Sequence, residues 1–368
     1  MTVPDRLILA GGPGERRIAV LAGDEVLTFA IDRGDPAVGD VFLGRVLAKP
    51  PGGGATFVDI GAALPGYLPR SGDWHEGQAL PVQVTAEARL DKGAVLTHRV
   101  AVETLPDLAG LKPPTKLIAP GRLARLLADF SAIGDLLVDE PSLLPEARKL
   151  FPAAELRRGV WRDSGAADTL DLALARIVPL AGGARLILDE TAGATVIDID
   201  AGGVPRDEAN RLALREIARQ IRLRNIGGQI ILDPIPGEGQ GYLQGLVDQL
   251  KSLLAEDPVP TDSLGVTKMR MIELVRTRRL PSLSDYFLAP PEPRRNAASL
   301  ALEALQAILA EAAAAPHRTL TLVAAPALIH YLHSRPDLIA ETQTRLGRPL
   351  ALEVLDGTAG FSITDRKP

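Results

Sequence analysis

The chain has 368 residues and a formal net charge of −5. That length allows about two or three domains with sizeable cores, and the acidic balance excludes a globally basic nucleic-acid binder while leaving room for a local basic face. The sequence contains no cysteine, which excludes disulfides and thiolate zinc sites. Residues 6–10, 16–21 and 25–31 are strand-like runs between Gly11-Gly12-Pro13-Gly14 and Ala22-Gly23-Asp24, a pattern that predicts a small antiparallel meander. The first of these glycine turns lacks the lysine and helix of a phosphate loop and reads as a plain turn. Short strands follow at 41–47, 55–60, 64–69, 80–86 and 95–100. Five strands in roughly sixty residues predict a small closed barrel of the OB type. Phe57 and Tyr67 sit on these strands; each ring either fills the barrel or faces outward, where bases stack. Lys92, in the turn Asp91-Lys92-Gly93, either meets a phosphate or is simply solvated. The proline-rich stretch 104–120 reads as the passage out of the barrel. Helices at 123–130, 141–151 and 170–178 alternate with strands at 135–139 and 156–158 and with the run 184–188. Such alternation predicts an α/β layer, with the first meander part of it and the barrel inserted into it.

Two acidic stretches come next. Residues 194–203 and 227–234 each read as an apolar strand that ends in aspartate and breaks at glycine or proline, and 208–224 between them reads as an amphipathic helix. Strand, helix, strand favours two neighbouring parallel strands with their carboxylates at one sheet end. Hard carboxylate oxygens without cysteine or nearby histidine are a ligand set suited to Mg²⁺. Beyond Asp233 a loop is expected at 237–241, a helix at 242–256 and extended segments at 261–264 and 268–275. Arg276-Thr277-Arg278-Arg279, with Arg215, Arg219, Arg222 and Arg224, either cradles a polyanion or supplies ordinary surface charge. Pro290-Pro291-Glu292-Pro293 reads as a linker. Helices at 297–314, 327–332 and 338–346 with strands at 319–324, 350–355 and 360–364 predict a small α/β tail domain. Its His317, His330 and His333 read as surface residues rather than metal ligands. No apolar run is expected to span a bilayer, since Glu303, Gln306 and Glu311 interrupt 301–315. No basic-then-apolar export signal opens the sequence, and a cytoplasmic protein is expected.

Several blocks together resemble the bacterial ribonuclease E/G family. Asp40-Val41-Phe42-Leu43-Gly44-Arg45-Val46, Phe57-Val58-Asp59-Ile60-Gly61 and Gly66-Tyr67-Leu68-Pro69 resemble its inserted RNA-binding barrel, as do Glu76-Gly77-Gln78 and Lys92-Gly93-Ala94-Val95-Leu96-Thr97. Glu190-Thr191 through Ile197-Asp198-Ile199-Asp200-Ala201-Gly202 resembles its catalytic strand, and 217–233 the partner strand. Glu273-Leu274-Val275-Arg276-Thr277-Arg278-Arg279 with Pro281-Ser282-Leu283 resembles the block that closes the catalytic domain. The resemblance implies an α/β (α+β) multidomain protein. An RNase H-like subdomain at 1–36 and 104–183 would carry the OB-type barrel at 37–103. A DNase I-like catalytic subdomain would follow at 184–289, and a small C-terminal α/β domain at 294–368. It also implies that Asp198 and Asp233 hold catalytic magnesium and that Phe57, Tyr67 and Lys92 contact RNA. Three departures stand out. Asp200 occupies a position that is usually asparagine in the family. The cysteine pair that shares zinc between protomers is absent. No arginine-threonine block that senses a 5′-monophosphate is recognisable between Val102 and Asp135.

The expected activity is a magnesium-dependent endoribonuclease on single-stranded RNA, in processing or decay of ribosomal RNA precursors or messenger RNA. A metal-activated water would leave a 5′-phosphate and a 3′-hydroxyl, which suits a region without histidine between His98 and His317. Asp198, Asp233 and Asp200 are the candidate catalytic residues, the first two as ligands of Mg²⁺ or a substituting Mn²⁺. Arg222, Arg224, Arg276 and Arg278 are the candidates for holding phosphates near the metal. The alternative is a non-catalytic RNA-binding factor on the same scaffold, for example in ribosomal RNA maturation. Neither a membrane partner nor a zinc-linked assembly is expected; a homodimer is compatible with the sequence.

Overall fold

The computed structural model of the protein describes residues 3–47, 54–69, 72–101, 105–239, 241–255, 257–289 and 295–365. The chain divides into two compact units, residues 1–289 and 290–368. The expected linker, Pro290 to Pro293, lies outside the described residues.

Unit one begins with β1 (Arg6–Gly12), β2 (Glu15–Ala22) and β3 (Glu25–Asp32), an antiparallel meander. The barrel follows: β4 (Val41–Val46), β5 (Ala55–Asp59), β6 (Gly66–Pro69), β7 (Ala79–Ala86) and β8 (Val95–Thr97). Its circuit closes in the order β4, β5, β6, β8, β7 and back to β4. Phe42, Val58, Leu68, Val82, Val84 and Leu96 fill the interior. The proline-rich passage is not simply a connector, because its Thr115–Ile118 forms β9, paired along β4. Proline cannot donate to a ladder, so a short strand outside the closed circuit, just after the prolines, is where such a segment can still pair.

The chain then returns to the first sheet through α1 (Arg122–Asp129), β10 (Asp135–Val138), α2 (Leu144–Leu150), β11 (Glu155–Leu156), α3 (Val160–Asp163) and α4 (Ala166–Ala173). Strand β10 lies parallel to β1, and β3 is left at the other edge. Both faces are covered, which explains the nearly unbroken apolar run of β2. One face packs Ile8, Ala19 and Phe29 against Val160, Trp161 and Leu170. The other packs Leu7, Ile18 and Val20 against Leu123 and Ala147.

A second sheet contains β12 (Ile177–Pro179), β13 (Arg185–Glu190), β14 (Thr195–Asp200), β15 (Gly228–Asp233), β16 (Thr261–Val266) and β17 (Ile272–Arg276). Helix α5 (Arg206–Leu223) connects β14 to β15, α6 (Tyr242–Leu254) precedes β16, and α7 (Leu283–Phe287) follows β17. The order is β12, β13, β14, β15, β17, β16, with β14 and β15 the parallel pair. Helices α5 and α6 cover one face, where Ile217, Ile221, Leu246 and Leu250 meet Ile197, Ile230, Leu232 and Leu274. The opposite face stays open, with Asp198, Gln229, Asp233, Glu273 and Val275 exposed along it.

The barrel is fastened to the rest of unit one at the end of β7. Glu87 receives an Arg122 guanidinium hydrogen bond at 2.6 Å, with both side chains at most 5% exposed. Tyr286 donates its hydroxyl to the same carboxylate at 3.2 Å. Arg89 pairs with Asp285 at 3.0 Å, and the Glu87 amide donates to the Arg279 carbonyl. Burial first, then the neighbouring Glu87, keeps the Tyr286 hydroxyl neutral well beyond its usual range.

Unit two comprises α8 (Ala297–Ala314), β18 (Leu320–Ala324), α9 (Pro326–His333), α10 (Pro336–Leu346), β19 (Ala351–Val354) and β20 (Phe361–Asp365). Strand β18 is central, parallel to β19 and antiparallel to β20. Contrary to the sequence expectation, α8 is long and apolar enough to cross a membrane by length and composition. Its Ala301, Ala304, Leu305 and Ile308 are buried in this unit's core.

Candidate active site

Strands β14 and β15 run in a register that pairs Asp198 with Asp233. Ile197, Ile199 and Leu232 alternate with these acids and are buried against the helices. Alternation therefore turns both carboxylates onto the open face. Both residues are exposed, and neither carboxylate hydrogen-bonds or ion-pairs with another described residue. Neighbouring strands place the two Cα atoms about 4.8 Å apart. Two unneutralised carboxylates side by side, open to water, fit Mg²⁺, which binds through one or two protein carboxylates and keeps several waters. Among the described residues, no group of three or more acids or histidines gathers for a metal. The pair thus stands open to solvent, without a third acid or histidine gathered beside it among the described residues.

Asp200 shares their face but not their freedom. Arg185, its cross-strand partner, donates from Nε at 2.8 Å and approaches the same oxygen from Nη2 at 2.6 Å. The Gly202 amide donates at 3.0 Å. The Gly202 amide and then Arg185 hold the Asp200 carboxyl below its usual range. Sequence placed Asp200 among the catalytic carboxylates; the structure ties it into an ion pair instead.

The chain beyond Asp233 is pinned by a residue that sequence reasoning missed. Asn210 of α5 is fully buried. Its Nδ2 donates to the Ile235 carbonyl at 3.0 Å and to the Tyr242 hydroxyl at 2.8 Å, while its Oδ1 accepts from the Ile235 amide at 3.1 Å. Tyr242 donates in turn to Asp207 at 2.9 Å. Arg206 lies over the Tyr242 ring, 5.5 Å from its centroid. Arg270, in the turn between β16 and β17, donates to the Gly237 carbonyl at 3.1 Å. The available signal was an asparagine on the apolar stripe of an amphipathic helix, where a buried amide must find partners.

The arginines expected beside the metal lie elsewhere. Arg276 is the register partner of Gly228, at the start of β15. Asp233 ends that strand five residues on, about 16 Å away at strand rise. Arg276 is buried, pairs with Asp257 at 2.8 Å and donates to the Ile226 carbonyl at 2.8 Å. Arg224 is buried too, bonded to Gln220 at 2.5 Å and to the Ala175 carbonyl at 2.9 Å. Arg278 donates to the Gly227 carbonyl. Arg222 sits in the last turn of α5, at the helix end remote from the carboxylates. All four gather at the opposite end of the sheet. Charge at helical or strand spacing does not reveal which partner a guanidinium will find.

On the barrel, Phe57 and Tyr67 are cross-strand partners. They are 37% and 40% exposed, with ring centroids 6.2 Å apart in an edge-to-face arrangement. Both rings are therefore outside the barrel rather than in its core. Lys92 is exposed in a turn closed by its own backbone bonds with Arg89. The next residue brings that turn close to the rings: a Cβ on Gly93 would lie 1.9 Å from the Pro65 carbonyl oxygen, and the Tyr67 amide donates to Ala94 at 2.7 Å.

Residues 141–279, which include both aspartate strands, match the model of the Ribonuclease E/G family. Ribonuclease G of Escherichia coli strain K12 is 27% identical over 221 residues, 54% of this chain and 45% of that protein. Ribonuclease G of Salmonella typhimurium is 27% identical over 198 residues, 47% of this chain and 40% of that protein. The matches thus span less than half the length of these relatives. The likeness to the ribonuclease E/G family thus rests on residues 141–279, the stretch that carries both aspartate strands.

Proposed function

We propose that the protein is a magnesium-dependent endoribonuclease that cuts single-stranded RNA in RNA processing. The observation that carries this reading is the pairing of Asp198 with Asp233, in register, exposed and without a side-chain partner among the described residues. Stability does not account for two bare carboxylates side by side, since like charges at that spacing repel; a divalent cation does. When bound there, Mg²⁺, or Mn²⁺ in its place, lowers the pKa of a water and polarises a phosphate oxygen. Asp198 and Asp233 would hold the ion. Asn210 fixes the backbone just after Asp233 and so positions that carboxylate. Arg185 neutralises Asp200 and limits the negative charge that the RNA backbone must approach. Phe57 and Tyr67 offer a stacking platform for unpaired bases, and Lys92 stands next to it as a phosphate contact. Hydrolysis in this arrangement leaves a 5′-phosphate and a 3′-hydroxyl. In this reading the β1–β3 sheet is the RNase H-like layer and the β12–β17 sheet the DNase I-like part.

The test is cleavage of an end-labelled single strand with Mg²⁺, with and without chelator, by the wild type and Asp198→Asn. Cleavage lost on chelation and in the variant is the expected result. Binding without magnesium-dependent cleavage by the wild type would replace the nuclease with a non-catalytic RNA-binding factor.

A further inference from the structure

A cavity of about 400 Å³ lies at the sheet end remote from the carboxylates. Edge strand β3, helix α1 and the last turn of α5 wall it, with Val259 and Leu280 closing the side. Helix α5 has 18 residues, so this cavity is about 27 Å from the carboxylate end of the sheet.

Among the described residues its lining carries five arginines against two aspartates. Arg276 and Asp257 satisfy each other at 2.8 Å, and Arg122 is held from behind by Glu87. The Arg125 guanidinium donates to the Val38 carbonyl at 3.1 Å. Arg125, Arg222 and Arg279 have no carboxylate partner among the described residues. Among the described residues, the Nε atoms of Arg122 and Arg222 are buried without a hydrogen-bond acceptor; Asp32 lies 3.9 Å from Arg122 Nε, beyond hydrogen-bond reach. Among its described residues the cavity is therefore richer in guanidinium donors than in carboxylate acceptors: Asp257 is taken by Arg276, and Asp129 is the remaining acid. Beside these donors stand apolar surfaces, Leu27, Leu126 and Phe130.

We propose that this cavity binds a single nucleotide through its phosphate ester. Phosphate oxygens accept the paired donors that a guanidinium fork presents, and Arg222, Arg279 and Arg125 converge on that role. The base lies on the apolar wall of Leu126 and Phe130. The volume falls within the range of small-ligand sites. A bare inorganic anion would leave the apolar wall unused, and an apolar ligand would leave the donors unmet. The same chemistry is offered by a free nucleoside monophosphate and by one internal nucleotide of a bound RNA. The inference stands independently of the cleavage reading.

Calorimetry at fixed salt tests it, with adenosine monophosphate, adenosine, inorganic phosphate and a 5′-hydroxyl oligonucleotide titrated into the full chain. The nucleotide should bind at least tenfold more tightly than adenosine or phosphate. Arg279→Gln, at an exposed position, and Arg222→Gln should each weaken it at least tenfold, while Asp198→Asn leaves it unchanged. Arg279→Gln decides the matter if Arg222→Gln does not fold. Competition by the oligonucleotide assigns the site to RNA, and nucleotide binding without competition assigns it to a free effector. Phosphate binding as tightly as the nucleotide would mean an adventitious ion only. That result, no nucleotide binding, or binding indifferent to both arginine substitutions overturns the proposal.

Discussion

The β12–β17 sheet carries acids at one end and arginines at the other, and the two ends treat charge differently. Asp198 and Asp233 are exposed and bare. Arg224 and Arg276 are buried, and both are hydrogen-bonded to backbone carbonyls and side chains. A buried, saturated arginine has its hydrogen-bonding capacity committed to the fold. A bare carboxylate pair has its capacity free, and the fold gains nothing from keeping it so. Partner accounting, rather than sign or number of charges, separates the end suited to chemistry from the end that holds the sheet to its neighbours.

The sharpest contrast comes from neutralising each end in turn. Asp198→Asn or Asp233→Asn should lower the cleavage rate by about 10⁴-fold, near 5.4 kcal/mol of barrier. Melting should be nearly unchanged, because exposed sites without partners shift stability by only about 0.5 kcal/mol. Substantial activity in either variant would remove the pair from the chemistry. At the other end, Arg276→Gln should cost about 3–5 kcal/mol of stability, since it strands the buried Asp257. A denaturant titration measures this, and a loss under about 1 kcal/mol would mean that the pair is not truly desolvated.

Smaller effects refine the comparison. Phe57→Ala and Tyr67→Ala should each weaken single-stranded RNA binding by about 1–3 kcal/mol with little change in melting temperature, as both rings are exposed. Unchanged affinity in a folded variant would leave the platform without its role. Arg185→Gln should have the smallest effect. Asp200 has a depressed folded pKa, so its contribution to stability is present above the unfolded value and lost as pH falls through the folded one. Removing Arg185 should raise that carboxyl toward its ordinary range, leaving the Gly202 amide as the remaining cause. Carboxyl titration by NMR reads the shift; no movement would mean that Gly202 alone holds it.

The acidic strands were legible because each carries a local pattern: apolar alternation that stops at aspartate. The helix between them implied a parallel pair, and the observed register sets the two acids side by side. The closed barrel was legible from the spacing of its turns. Strand β9 was not, because prolines mask pairing that uses only one side of β4. The fate of Arg222, Arg224, Arg276 and Arg278 was not legible either. Gln220 lies one helical turn from Arg224, but Asp257 and the carbonyls of Ala175, Ile226 and Gly227, which take the other bonds of Arg224, Arg276 and Arg278, come from segments that only the tertiary fold brings near; for the Nε of Arg222 the described residues offer no acceptor. Asn210 is similar: its partners lie 25 and 32 residues downstream. Whether Phe57 and Tyr67 face inward or outward depends on strand register, and a slip of one residue reverses it.

Under the proposed function, the Glu87 network bears on how RNA would be handled. The barrel is an insertion, with one crossing into it after β3 and one back out before α1, and two strands of chain alone would make a hinge. The buried Glu87–Arg122 pair, the Arg89–Asp285 pair and the Glu87 amide bond to Arg279 close that hinge. Swinging the barrel away would expose a charge pair that has already lost its water. In the proposed function, a strand stacked on Phe57 and Tyr67 is therefore held by a stiff arm rather than by a tether. Stiffness raises the effective concentration of the RNA at reachable positions and removes it from the rest. Cuts should then fall in a narrow band at a set number of nucleotides from the stacked base, and that band should broaden when Glu87→Gln loosens the joint.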